Sequence, residues 1–182
     1  MPRIDPPTPE TYSDRQREVA DAITSGPRGG LRGPLAIWLH RPELADRAQA
    51  FGQYCRYDSS LPPVLSELGI LVTARYWSAE YEWFAHKRIA LEAGLAPDIA
   101  DAIRRRERPA FSDDKQEVVY DFATALHTDK RVSQALYDKA VATLGRDAVI
   151  DLVAVLGYYG FVSMTLNVFE VMPPDDVPRE MD

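Results

Sequence analysis

The chain has 182 residues, a formal net charge of −7 and one cysteine, with 46% hydrophobic and 27% charged residues. That length fits one domain with a substantial core, and the composition is that of a soluble globular protein. The acidic balance excludes nonspecific adhesion to DNA or an anionic membrane, which need a basic face; an acidic substrate would require local Arg, Lys or His partners. Cys55 stands alone, so no intramolecular disulfide forms and a reducing cytoplasm is the expected compartment. The opening residues, MPRIDPPTPETYSDRQREVA, contain no apolar core segment and do not read as a secretory signal.

In chain order, residues 1–10 are proline-rich and read as an extended arm, followed by one domain over 11–172. Ser13 is a helix N-cap for a segment that runs to Thr24 and stops at the SGPRGG loop. Leu35 to His40 is a short helical turn, and Pro42 opens PELADRAQAFGQYCRY from a first helical position. Leu61-Pro62-Pro63 starts a long helix through Trp77, and Ser78 is placed to cap the next, which ends at Gly94. A short charged helix covers Pro97 to Arg106. Ser112 then starts DDKQEVVYDFATALHTD, whose first turn is acidic as the helix dipole prefers. Helices over Ser133–Leu144 and Asp147–Phe169 complete the set, and residues 173–182 (PPDDVPREMD) read as a flexible tail. No segment alternates with period two, so the predicted class is all-α, a compact helical bundle.

Between Ala148 and Val168 only Asp151 is formally charged, and the stretch approaches the length of a bilayer span. Gly157, Tyr158, Tyr159, Gly160, Ser163, Thr165 and Asn167 interrupt it and no basic cluster flanks it. A helix apolar nearly all round also belongs in a core or a subunit interface, which is the reading adopted here. Its small residues, Gly157 and Gly160, allow close helix approach, and a homo-oligomer is expected.

The chemistry-bearing stretch is residues 65–95, LSELGILVTARYWSAEYEWFAHKRIALEAGL. Glu67 sits among Val64, Ile70 and Leu71 at helical spacing; a carboxylate in such a stripe is either paired or desolvated, and desolvation raises its pKa. Glu82 and His86 lie four apart and share a helix face, a pattern suited to proton transfer. The plainer readings are a surface pair for Glu82–His86 and, for Glu67, a buried carboxylate paired with Arg75 or capping a helix. Tyr76, Trp77, Tyr81, Trp83 and Phe84 read first as core or interface aromatics, with Tyr81 and Trp83 as candidate substrate contacts. Arg75 is a candidate carboxylate clamp. His40 and His127 read as residues flanking helix ends, and His40 is also a candidate to line a pocket at the Gly33-Pro34 loop. The three histidines show no metal-ligand spacing, and the chain has no HExxH, P-loop, dinucleotide fingerprint or GxSxG elbow, so neither a metal nor a cofactor is expected.

The run ELGILVTARYWSAEYEWFAHKRIALEAGL resembles the central motif of the carboxymuconolactone decarboxylase family, and the flanking segments extend the resemblance over about residues 33–172. It implies the alkyl hydroperoxidase D-like helical fold, trimeric or hexameric assembly, and sites near subunit interfaces. In the family's peroxide-reducing branch a glutamate on one helix precedes Cys-x-x-Cys-x-x-x-His on the next. Laid on this chain, the glutamate is Glu67, the histidine is His86, and the cysteines fall on Ala79 and Glu82. Dithiol peroxide reduction needs an attacking and a resolving thiol, so that route is closed.

The resemblance to the other branch implies cofactor-free decarboxylation of a lactone or β-keto acid in aromatic catabolism. His86 would be the proton or hydrogen-bond donor, and Glu67 and Glu82 would orient it or relay the proton. Its partners are expected to be a small carboxylic acid or lactone substrate and further copies of itself, with neither nucleic acid nor membrane. The competing readings are a one-cysteine hydroperoxide reductase using Cys55 and a non-catalytic small-molecule binder.

Overall fold

A computed structural model describes residues 2–181, and all regular structure within them is helical. The helices are α1 (Asp14–Ser25), α2 (Pro34–Trp38), α3 (Pro42–Gln53), α4 (Pro63–Trp77), α5 (Glu80–Glu92), α6 (Pro97–Arg104), α7 (Asp114–Asp129), α8 (Gln134–Leu144) and α9 (Arg146–Val168). A single π-helical turn, Tyr54–Asp58, continues α3.

Local chemistry explains most of the boundaries. Ser13 caps α1 in a full capping box, accepting from the Gln16 backbone while the Gln16 side chain accepts from Ser13 N–H. Proline opens α2, α3, α4 and α6, where its missing N–H costs nothing. Two caps differ from the sequence expectation. Asp113, not Ser112, caps α7, because its carboxylate accepts from both Lys115 and Gln116 N–H. Ser78 does not start α5; it ends α4 in the left-handed conformation (φ 48°, ψ 43°), and its Oγ accepts from Arg75 and Arg106. That reversal folds α5 back along α4.

Helix α4 is the axis of the molecule. Every residue from Leu65 to Ala74 is buried, because α5, α7 and α9 pack around it and its sequence offers no polar face. Helix α9 is the second long apolar element. Among the described residues it is the one helix long and apolar enough to cross a membrane, yet 67% of its most apolar window is buried inside the protein. Trp38 stacks on Phe161 at 4.6 Å and donates from Nε1 to Thr165 Oγ1, tying α2 to α9.

Both ends of the described residues are anchored. Arg3 donates to the Val168 carbonyl and pairs with Glu170 at the end of α9. The tail expected to be flexible instead lies against α5: Glu180 and Met181 N–H donate to the two oxygens of Glu80, and the Met181 side chain is buried. Composition alone predicts disorder there because it counts apolar residues, whereas the anchor is a carboxylate gripping two backbone donors.

Asp151, the one charge in the middle of α9, is a structural pin. It accepts from Tyr54 OH at 2.6 Å and from Ser60 N and Oγ at 2.7 and 2.6 Å, joining α9 to the end of the π-helical turn. Burial works against the charge, but the bonds from Ser60 and Tyr54 hold the carboxyl below the usual range. A folded pKa below the unfolded one contributes stability above the unfolded pKa, and that contribution is lost as pH falls through the folded pKa. Asp151→Ala is expected to lower unfolding stability by about 2 kcal/mol at pH 7, the scale of hydrogen bonds to a charged group. The gap between the urea midpoints of wild type and variant should narrow as pH falls from 7 toward 3, and a gap that does not change would remove the Asp151 charge from the account.

Candidate active site

Glu67 projects from the second turn of α4 toward α5, where Glu82 and His86, four residues apart, face it from one side. His86 Nδ1 donates to Glu67 Oε2 at 2.7 Å, and His86 Nε2 lies 2.9 Å from Glu82 Oε1. All three residues are at most 5% exposed, so Glu82–His86 is not a surface pair and Glu67 does not pair with Arg75. The two contacts differ in kind. The Glu67 contact is an aligned hydrogen bond; the Glu82 contact is close but unaligned, and leaves Oε1 without a proper hydrogen-bond partner. His86 touches both carboxylates, one at each ring nitrogen, and among the described residues no group of three or more His, Cys, Asp or Glu side chains is placed to hold a metal ion.

The electrostatics follow from this packing. Burial by itself pushes the His86 pKa down, but the charges of Glu82 and Glu67 and their contacts outweigh it and raise it to about 9. The ring is therefore an imidazolium at neutral pH. Tyr159 meets it edge-on at 4.9 Å, and its phenol is pushed well up, first by burial and then by the two carboxylates, so it stays neutral.

Glu82 and His86 open onto a cavity of about 770 Å³, within the range of small-molecule sites, while Glu67 lies behind them. Tyr158 and Tyr159 of α9 form one wall and Tyr81 of α5 another. Two glycines make the walls possible. Gly33 has φ +55°, and a Cβ there would stand 2.7 Å from the Tyr81 ring. A Cβ on Gly52 would stand 2.1 Å from Tyr158 Oη and 2.3 Å from Arg28 Nη2.

Of the residues expected from sequence to bind substrate, Tyr81 alone lines this cavity. Trp83 is fully buried and donates from Nε1 to Glu180. Arg75 is used structurally, donating to the Arg104 and Met181 carbonyls and to Ser78, so it clamps no ligand in the cavity. His40 points at the N-terminal arm, with Nε2 3.0 Å from the Asp5 carbonyl. His127 bonds Thr73 and stacks on Tyr76, and burial with the nearby Lys130 charge lowers its pKa to about 4.

The basic residues that do line the cavity went unread in the sequence. Arg28 and Arg32 come from the glycine-rich loop after α1, and Arg56 from the π-helical turn. The one sequence signal for Arg28 and Arg32 is their place in a Pro-Arg-Gly-Gly-Leu-Arg-Gly-Pro loop, which says nothing of where the loop folds, and Arg56 carries none. Cys55 is fully buried and does not line the cavity, and burial and the Asp151 charge raise its thiol pKa to about 11.

Comparison with known proteins agrees with this architecture. Residues 42–125 match the model of the carboxymuconolactone decarboxylase family, a span that contains Glu67, Glu82 and His86. An uncharacterised peroxidase-related protein from Silicibacter sp. TM1040 shares the fold with a TM-score of 0.76 at 15% identity, over 96% of this chain and 93% of that one. An uncharacterised peroxidase-related protein from Ralstonia eutropha JMP134, described as an alkylhydroperoxidase AhpD core, gives 0.77 at 18% identity, over 96% and 93%. The debrominase Bmp8 gives 0.74 at 14% identity, over 94% and 92%. These identities speak to fold alone, and no curated protein matches the sequence. Residues 42–125 are thus similar to the carboxymuconolactone decarboxylase family, and the chain has the alkyl hydroperoxidase D-like helical fold, in a form without a Cys-x-x-Cys pair.

Proposed function

We propose that this protein is a cofactor-free carboxy-lyase that decarboxylates a lactone or β-keto acid from the breakdown of aromatic compounds. The observation that carries the reading is His86 fixed between two buried carboxylates, with His86 and Glu82 in the wall of the cavity.

Decarboxylation breaks the bond from the carboxylate carbon to its neighbour, and the electron pair moves into the adjacent carbonyl as an enolate. Carbon dioxide leaves, and the enolate must be stabilised and then protonated on carbon. Glu67 holds Nδ1 and so sets the ring angle. Nε2–H, with only an unaligned contact to Glu82, is free to donate to the enolate oxygen and then to pass its proton to carbon. Glu82, at 2.9 Å from Nε2, would take a proton from solvent in the cavity and pass it to the neutral ring. Tyr81, Tyr158 and Tyr159 line the cavity and would shield a bound substrate from bulk water. This chemistry uses proton transfer only, which suits a site whose lining contains no thiol.

Hydroperoxide reduction has less support, because Cys55 is buried and its thiolate is disfavoured at neutral pH. The assembly belongs to the same reading: a homo-oligomer, trimer or hexamer, in the cytoplasm. Its support is an apolar stripe on α9, where Ile150, Val153, Met164 and Val168 are exposed in line with Gly157.

Carbon dioxide release from 4-carboxymuconolactone and from related lactones and β-keto acids should be measurable with wild type and drop at least ~100-fold in His86→Gln. Equal release by both proteins removes His86 from the chemistry, while no release from any substrate leaves a binding role. The pH profile is more specific. Because protonated His86 is the acid, kcat should fall as pH rises through about 9. Glu82→Gln removes a charge that raises this pKa, so its falling limb should move to lower pH; a limb that stays put would assign the ionisation to another group. For the assembly, Val153→Glu should lower the solution mass measured by light scattering, and an unchanged mass would take the α9 stripe out of the interface.

A further inference from the structure

Tyr159 is 2% exposed, yet among the described residues its hydroxyl makes no hydrogen bond. A phenol this deeply enclosed normally finds a partner, because burial takes water away from its hydroxyl. Tyr158, its neighbour in the same wall, has one, since its oxygen accepts from Arg28 at 3.5 Å. Nor is the Tyr159 oxygen sealed in the core. Among the described residues the buried side-chain polar atoms without a partner are Arg28 Nε, Glu82 Oε1 and Ser163 Oγ, so the little surface that Tyr159 keeps includes its oxygen. Tyr159 borders the cavity, and its hydroxyl therefore faces that space.

The surroundings say which partner suits it. Its ring meets His86 edge-on at 4.9 Å, which keeps the hydroxyl within a small ligand's length of His86 Nε2. Burial and the charges of Glu82 and Glu67 hold the phenol neutral, so it has a proton to donate. A donor beside a ligand site fits an acceptor oxygen, and the bond is strongest where that oxygen is charged. Resting on the decarboxylase reading of this cavity, the chemistry names that oxygen. As the carboxylate leaves, the electron pair moves into the adjacent carbonyl, whose oxygen gains charge only in the transition state and the enolate. A carbonyl oxygen has two lone pairs, and His86 supplies one donor. A second fixed donor there binds the transition state better than the ground state. We propose that Tyr159 is a second catalytic donor, whose hydroxyl hydrogen-bonds the ligand oxygen that becomes the enolate, alongside His86. The phenol keeps its own proton throughout, and the proton delivered to carbon comes from His86.

Tyr159→Phe keeps the ring against His86 and deletes only a hydroxyl with no partner among the described residues. Its Tm should therefore match or exceed that of wild type, while kcat for carbon dioxide release falls about tenfold to a hundredfold with KM little changed. Binding is read without turnover using 4-nitrophenol, whose phenolate imitates the enolate oxygen and whose absorbance reports ionisation. At neutral pH wild type should bind it and raise its ionised fraction. Tyr159→Phe should raise that Kd about tenfold and give a smaller rise in ionisation, and the exposed control Tyr137→Phe should match wild type. Three results overturn the donor: no binding of 4-nitrophenol to wild type, equal Kd and ionised fraction in wild type and Tyr159→Phe, or a Tm several degrees lower in that variant, which would make the hydroxyl structural. The two readings fail separately. Carbon dioxide release with kcat unaltered in Tyr159→Phe sinks the donor alone, and Tyr159-dependent phenolate binding with no release from any substrate sinks the decarboxylase alone.

Discussion

The buried contact between His86 and its two glutamates is the constraint around which the rest of the structure is arranged. Two carboxylates in a low-dielectric interior repel each other, and neither survives there without a cation or strong donors. The imidazolium supplies the cation, and the carboxylates in turn keep it protonated well above its ordinary range. The arrangement works only if α4 and α5 run back to back with Glu67 opposite His86, and the left-handed Ser78 turn produces that fold-back. Helix α4 can host a glutamate in its buried stretch because its partner arrives on the neighbouring helix.

Around that core contact, the cavity is completed by elements far away in sequence. Helix α9 contributes the two tyrosines, the loop after α1 contributes Arg28 and Arg32, and the π-helical turn contributes Arg56. Asp151 holds α9 to the residues just beyond that turn, so the tyrosine wall and the Arg56 segment share one pin. The two close approaches, Tyr81 over Gly33 and Tyr158 over Gly52, bring the N-terminal third of the chain onto α5 and α9. Stability and site geometry are thus set by the same contacts.

How much of this was legible in the sequence depends on the range of the interaction. Ser13 with Gln16, the prolines opening helices and the i, i+4 relation of Glu82 to His86 are local, and each could be read directly. The partnership of Glu67 with His86 spans 19 residues and was readable only through the family motif. Arg75 illustrates the limit. Its place after Glu67 on the same helix suggests a clamp, yet it lies at the far end of α4 and is consumed by carbonyls of α6 and the tail. Arg28 meets Tyr158 across 130 residues, and no local pattern announces such a contact. Trp83 reads first as a core aromatic and second as a substrate contact, and its fully buried indole, bonded to Glu180, agrees with the first.

The substitution at position 82 ties the local chemistry to the family resemblance. Laid on the dithiol motif, Glu82 stands where the second cysteine would be and Ala79 where the first would be. A thiol pair beside a histidine can give up two electrons, since a thiolate is a nucleophile and its partner resolves the product. A carboxylate at position 82 keeps an anion within 2.9 Å of Nε2 but offers no electrons to a peroxide, and Ala79, fully buried, offers no atom at all. What remains is a histidine held by Glu67 on one side and faced by the Glu82 carboxylate on the other, and the proposed proton-donor role rests on that geometry alone. Such a role requires a substrate that needs a proton delivered to carbon.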